Sequence, residues 1–151
     1  MIKKNNMAVH FCSDSPEWST PQDLYDGLDA EFGFTLDPAC THENAKCERH
    51  FTAADDGLSF SWAGEIVFLN PPYGRVIARW VQKAWEESQD GATVVCLVPA
   101  RTDTGWWHGY CMKGEIRFLK GRLYFSRADG SSGRAPFPSA IVIFRPEASD
   151  D

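Results

Sequence analysis

No apolar run among the 151 residues is long enough to cross a bilayer, which takes about 20 consecutive apolar positions. The opening MIKKNNMAVHFCSDS has two lysines but no apolar stretch with a small-residue cleavage site, so no signal peptide is expected. Cysteines are few and odd in number, five at irregular spacing, which excludes a disulfide framework and fits a reducing cytoplasm. Cys40, His42, Cys47 and His50 lie close together, yet their spacing matches none of the usual Cys/His hooks for zinc. No metal site is expected. There is no internal repeat and no interdomain linker, and the length favours one domain with one core. That domain is expected over 16–146, with a frayed N-terminus over 1–15 and an acidic tail over 147–151.

An overall basic charge is also missing. The net charge is −6, but it is unevenly placed. From Ser13 to Ile66 the acids outnumber the bases to give −10, whereas Arg101 to Arg145 carries +5. A polyanion should therefore meet the C-terminal third, unless those charges only solvate a surface. Arg101, Arg122, Arg127 and Arg134 are the expected contacts.

What is present is material for a core: 43% of the residues are hydrophobic and 13% aromatic, enough to fold. Thr20-Pro21-Gln22-Asp23 predicts a helix start, with Thr20 as cap and Asp23 closing the capping box. Leu24, Leu28 and Phe32 form one face, and Gly33 ends the helix. Residues 34–36 read as a short strand stopped by Asp37-Pro38, and 65–69 as a second stopped by Asn70-Pro71. A helix follows over 75–88, its stripe made by Val76, Trp80, Val81, Ala84 and Trp85. The unbroken apolar run 93–98 predicts a strand covered on both faces. A short helix over 104–112 and strands at 115–119 and 140–144 complete the set, the strands joined by a long polar connection over 126–138.

This alternation predicts a single α/β domain with a mostly parallel sheet and helices on both faces. Such sheets bind ligands beyond the carboxyl ends of their strands. Asp37-Pro38, Asn70-Pro71-Pro72-Tyr73 and Pro99-Ala100-Arg101 should therefore gather along one edge.

The chemistry of that edge is specific. The Asn70 side-chain oxygen and the Pro71 carbonyl are two acceptors suited to an exocyclic amine such as adenine's. Such a nitrogen is a poor nucleophile because its lone pair is delocalised into the ring. Accepting both of its N–H groups would favour a pyramidal nitrogen and stabilise its developing charge. Tyr73 could stack on the base, and the Pro71-Pro72 pair would hold the geometry in advance. Asn-Pro alone is only a turn signal; the complete motif between an apolar strand and a helix is much more specific.

Asn70-Pro71-Pro72-Tyr73 resembles the catalytic motif of amino-directed, S-adenosylmethionine-dependent methyltransferases. Leu36-Asp37-Pro38-Ala39-Cys40 is similar to their cofactor motif, and Trp18-Ser19-Thr20-Pro21 to the segment that often precedes it. Asn44-Ala45-Lys46-Cys47, Phe51-Thr52, Asp55-Asp56-Gly57-Leu58, Trp62 and the stretch from Ala135 to Ala140 extend the likeness to the phage-type DNA N6-adenine methyltransferases. It covers the chain from Trp18 to Arg145. The resemblance implies a reduced Rossmann-like sheet, S-adenosylmethionine as cofactor and DNA as partner. It implies that Asp37, in the Asp37-Pro38 motif, holds the cofactor's ammonium group, helped by Thr20. Asp55 or Asp56 would reach its adenosine, while Asn70, Pro71, Pro72 and Tyr73 would hold the target base. Thr41 to Asn44 lacks the glycine of larger relatives, so Asn44 is expected to take the turn conformation.

Two other functions fit part of the pattern. Methyltransferases acting on a protein glutamine amide share the Asn-Pro-Pro-Tyr motif, and a catalytically silent nucleic-acid-binding domain would share the basic C-terminal third. Recognition loops are expected within 101–112 and 123–138, where Trp106, Trp107 and Tyr110 could stack on bases or pack in the core.

Overall fold

Val67, Phe68 and Leu69 are buried, and so is every residue of the run from Val94 to Pro99. These apolar stretches form the centre of the sheet in a computed structural model that describes residues 19–126 and 132–147. The named elements are α1 (Gln22–Phe32), β1 (Ile66–Leu69), α2 (Ile77–Gln89), β2 (Thr93–Pro99), α3 (Gly105–Gly109), β3 (Glu115–Phe118), β4 (Tyr124–Ser126), β5 (Ser132–Arg134) and β6 (Ser139–Phe144). No helix among the described residues is long and apolar enough to cross a membrane.

The main sheet has the order β1-β2-β6-β3. β1 and β2 are parallel, in the register Ile66 with Thr93 through Leu69 with Cys96. β6 is antiparallel to both β2 and β3, so two of the three ladders between named strands are antiparallel. The expectation of a mostly parallel sheet is thus corrected. The cause is β6 alone, which inserts between two strands that share one direction. Beyond β1, Leu36 bridges Val67 and Asp37 bridges His50, both in the parallel sense. The strand expected at 34–36 is reduced to these bridges, with the Thr35 and Leu36 N–H groups both directed at the Ile66 carbonyl.

Period-two alternation gives the sheet two apolar faces. Val67, Leu69, Val94, Cys96, Val98 and Val142 pack with Trp80, Val81 and Ala84 of α2 and with Trp62 and Trp107. Phe68, Val95, Leu97, Ile141 and Ile143 pack with Tyr25 and Leu28 of α1 and with Phe125 and Phe137. Helices cover both faces, as expected. Trp62 is fully buried, stacks at 6.3 Å on Trp80 and donates its indole N–H to the Gly57 carbonyl at 3.0 Å. Removing so large a side chain would cost about 3–5 kcal/mol.

The first helix departs from its expected start. Pro21 occupies the cap position without a side-chain bond, and Thr20 makes a different contact, described below. Its end is as read: Gly33 is left-handed at φ 71° and donates to the Asp29 carbonyl. In α2 the buried stripe begins with Ile77, while Val76 stays exposed. Thr104 caps α3 by accepting from the Trp107 N–H. Residues 126–138 are not merely a connection. They contain β5, which pairs antiparallel with β4, Tyr124 facing Arg134.

Leu36-Asp37, β1 and β2 run in one direction, so their carboxyl ends share an edge. The antiparallel β6 starts there, with Ser139 opposite Pro99. This brings Phe137-Pro138 to the same place, and Ala100 N–H donates to the Pro138 carbonyl at 2.9 Å.

Candidate active site

Asp37 ends its short strand inside the protein, 3% exposed. Its carboxylate accepts from the backbone N–H groups of Lys46 at 2.9 Å and Ala39 at 3.4 Å. No Lys or Arg among the described residues forms an ion pair with it. Burial pushes its pKa up to about 6, against those backbone hydrogen bonds. The Cys40 thiol, itself held up by burial, donates to the Asp37 backbone carbonyl at 3.6 Å. Lys46 points elsewhere, its ammonium group donating to Gln22 at 2.7 Å.

Asn70 follows the end of β1. Its Nδ2 donates to Thr20 Oγ1 at 2.9 Å, and its Oδ1 accepts from the Tyr73 hydroxyl at 3.2 Å. Thr20, Asp37 and Asn70 line one small hollow together with Ala39 and Phe68. Tyr73 is half-buried, its ring meeting Phe137 edge-on at 5.4 Å and Phe125 at 6.4 Å. Burial holds its phenol protonated well above the ordinary range. Pro71 is buried and Pro72 half-buried.

Ala39 also lines a second, open cleft of about 240 Å³ with Pro38, Asp56, Leu58, Pro72 and Trp80. The two hollows are therefore neighbours. Asp55 and Asp56, equivalent by sequence, differ here. Asp55 closes a turn by accepting from the N–H and hydroxyl of Thr52, which holds its carboxyl below the usual range. Asp56 is left-handed at φ 61°, receives the Leu58 N–H and lines the cleft. It is the one non-glycine residue with positive φ among those described, so Asn44 does not take the glycine-like conformation expected of it. Asn44 and Thr41 close their own turn by reciprocal side-chain bonds at 2.7 and 3.1 Å.

Arg101, Arg122 and Arg134 are exposed, whereas Arg127 and Trp18 lie outside the described residues. The Arg101 guanidinium sits 5.5 Å from the Phe137 ring, the same ring that meets Tyr73 edge-on. Arg117 is bound to Glu31 and Glu115, and Arg145 to Glu115, so much of the C-terminal basic surplus is neutralised internally. Trp107 is a core residue at 3% exposure, and Trp106 and Tyr110 pack against the same cluster. His42 Nδ1 lies 2.9 Å from His50 Nε2, and no group of three metal-binding side chains occurs among the described residues.

Three contributors had no site role in the sequence reading, although Gly57 and Phe137 lie in stretches that carry the resemblance. Gly57 lies against Pro38 in the lining of the cleft, and Phe125 and Phe137 support the Tyr73 ring. Alternation in Leu123-Tyr124-Phe125 was the available signal for Phe125, which is buried while Tyr124 is 57% exposed.

Residues 11–150 match the profile of the family described as DNA N-6-adenine-methyltransferase (Dam). The chain is 34% identical over 92 residues to the DNA N-6-adenine-methyltransferase of Escherichia phage T1, covering 60% of this chain and 38% of that relative. It is 24% identical over 155 residues to the enzyme of the same name from Haemophilus phage HP1 (strain HP1c1), covering 98% of this chain and 87% of that relative. The chain thus spans well under half of the first relative and most of the second. The match extends over nearly the whole sequence, including the strand ends that meet at Asp37 and Asn70, and the chain belongs to the DNA N-6-adenine-methyltransferase family.

Proposed function

We propose that this chain transfers a methyl group from S-adenosylmethionine to the N6 amine of adenine in DNA. The observation that carries the reading is the Asn70 amide, anchored by Thr20 and Tyr73 in the hollow that also holds the buried Asp37 carboxylate. A buried acid without a cationic partner suits an ammonium group, which would keep it ionised. The adjoining cleft, apolar apart from Thr52 and Asp56, suits a flat base with a hydroxylated sugar. We assign the ammonium to Asp37, the ribose to Asp56 rather than Asp55, and the adenine ring to Leu58, Pro72 and Trp80.

When bound, the cofactor supplies an electrophilic methyl group. The chain's own residues do the rest. Asn70 Oδ1 and the Pro71 carbonyl accept from the two N–H groups of the target amine, stabilising the positive charge that develops on nitrogen. Tyr73 stacks on the base, with Phe125 and Phe137 holding its ring at right angles to their own. A base inside a duplex cannot reach this pocket, so the adenine is flipped out or already single-stranded. Phosphate contacts fall to Arg101, Arg122, Arg127 and Arg134.

The strand pattern supports a reduced Rossmann-like sheet, with parallel strands on one side and the antiparallel β6 beside β2. We assign the methyltransferase domain to 16–146. The thiols of Cys40, Cys47, Cys96 and Cys111 are all free, which suits a reducing host cytoplasm. Incubation with a cofactor labelled in its methyl group, and with either unmethylated DNA or protein extract, tests the reading. Label in DNA is expected; label in protein alone points to the glutamine alternative, and label in neither to a silent binding domain.

A further inference from the structure

We propose that Lys46 completes the amino-acid end of the cofactor site: its ammonium group binds the cofactor's carboxylate while Asp37 binds the cofactor's ammonium. The proposal rests on the methyltransferase reading above.

Lys46 and Asp37 line one hollow, and the Lys46 backbone N–H donates to the Asp37 carboxylate at 2.9 Å. Their side-chain charges nonetheless do not meet. Among the described residues Lys46 forms no ion pair, and its ammonium group donates to the Gln22 side-chain oxygen at 2.7 Å. That amide is neutral, and its nitrogen is turned the other way, donating to Asp26 at 2.8 Å. The Tyr25 ring lies 5.8 Å from the ammonium nitrogen. Burial holds the Lys46 pKa below its ordinary value, against the charges of Asp37 and Asp26. One hollow is thus lined by a buried acid without a cation and a half-buried lysine without an anion.

That pair of deficits fits a zwitterion. The amino-acid end of S-adenosylmethionine carries an ammonium and a carboxylate on one carbon, so a single ligand satisfies both residues. A cation bound to a carboxylate makes a stronger hydrogen bond than one bound to a neutral amide. The lysine is also placed to make the exchange. Its backbone is fixed beside Asp37, and its tip rests on the first residue of α1, two positions after Thr20 of the same hollow. The flexible four-carbon stem lets the ammonium group leave Gln22 for a carboxylate lodged between these two segments. A ligand without that carboxylate leaves the lysine on Gln22 and loses the contact.

The test is calorimetry with S-adenosylhomocysteine and with its decarboxylated analogue, which keeps the ammonium and lacks the carboxylate. The wild type should bind S-adenosylhomocysteine at least about tenfold more tightly than the analogue. Lys46→Met should weaken S-adenosylhomocysteine at least about tenfold and the analogue less than about threefold, so that the discrimination is largely lost. Circular dichroism establishes that the variant is folded; should it not fold, Lys46→Gln takes its place with the same expectation. Equal affinity of the wild type for the two ligands overturns the proposal, and so does discrimination that survives in the variant. Surviving discrimination with weakened duplex binding also overturns it, and assigns the lysine to a DNA phosphate. Methyl transfer to DNA with discrimination undiminished in the variant removes only this proposal. A wild type that neither binds S-adenosylhomocysteine nor methylates DNA removes the functional reading with it.

Discussion

Gly57 lies so close to Pro38 that a Cβ at position 57 would fall 2.1 Å from the Pro38 carbonyl oxygen. Closeness, not a left-handed backbone, requires glycine here, since the positive φ belongs to Asp56 one residue earlier. The contact fixes the turn carrying Asp56 against the segment that follows Asp37. Gly57→Ala should therefore force the two apart, destabilise the fold by about 1–3 kcal/mol and weaken cofactor binding. Urea unfolding and calorimetry read the two effects. A variant as stable as its parent would mean that the contact does not hold the cleft wall.

Asn70→Ala should remove methyl transfer while leaving cofactor affinity nearly intact, because the lost acceptor faces the target amine. Losing one contact of this kind costs roughly 10²–10³ in rate. Single-turnover kinetics measure it, and near-wild-type turnover would remove Asn70 from the chemistry.

Asp37 predicts a pH dependence. Its folded pKa is about 6, raised by burial, whereas the unfolded chain titrates this group near about 4. Between about pH 4 and 6 the folded state holds a proton that the unfolded state has lost. This group therefore destabilises the empty protein increasingly as pH rises through that window, and most above it. An ammonium ligand reverses the preference by favouring the ionised acid. Cofactor affinity should fall about tenfold per pH unit below about 6, and Asp37→Asn should bind weakly with a flatter profile. Of the surrounding groups, a charged His50 favours the carboxylate, while Cys40 is held neutral by burial. Calorimetry on either side of pH 6 decides; a flat wild-type profile would contradict the assignment.

Much of this site was legible in the sequence because its parts follow apolar strands. Val67-Phe68-Leu69 and the run from Val94 to Pro99 are unmistakable buried strands, and the polar residues after them had to share an edge once the strands were parallel. Thr20 was misread for a physical reason. A threonine before Pro21 satisfies every local rule for a helix cap, and only the tertiary fold brings Asn70, 50 positions away in the chain, to its hydroxyl. The β4–β5 hairpin was missed because its pairing depends on a partner strand and its composition is that of a loop. The antiparallel β6 was equally hidden, since strand direction leaves no mark on a short apolar run such as Ala140 to Phe144.

The arginines separate into two groups by what they touch. Arg122 and Arg134 are exposed, while Arg117 is held by Glu31 and Glu115 at 2.6–2.7 Å. Neutralising Arg122 and Arg134 together should weaken DNA binding at every sequence and flatten its salt dependence by about one to two units of slope. Cofactor affinity should not change, and Arg117→Ala should leave the salt slope as it was. A double variant with the wild-type slope would show that DNA enters elsewhere.

The central claim is that the pocket at the end of β1 methylates an adenine amine. Mass spectrometry of nucleosides from unmethylated DNA, digested after incubation with the protein and S-adenosylmethionine, tests it most directly. The account predicts N6-methyladenine with the wild type and its loss with Asn70→Ala; N4-methylcytosine as the only product, or N6-methyladenine undiminished in the variant, would contradict it.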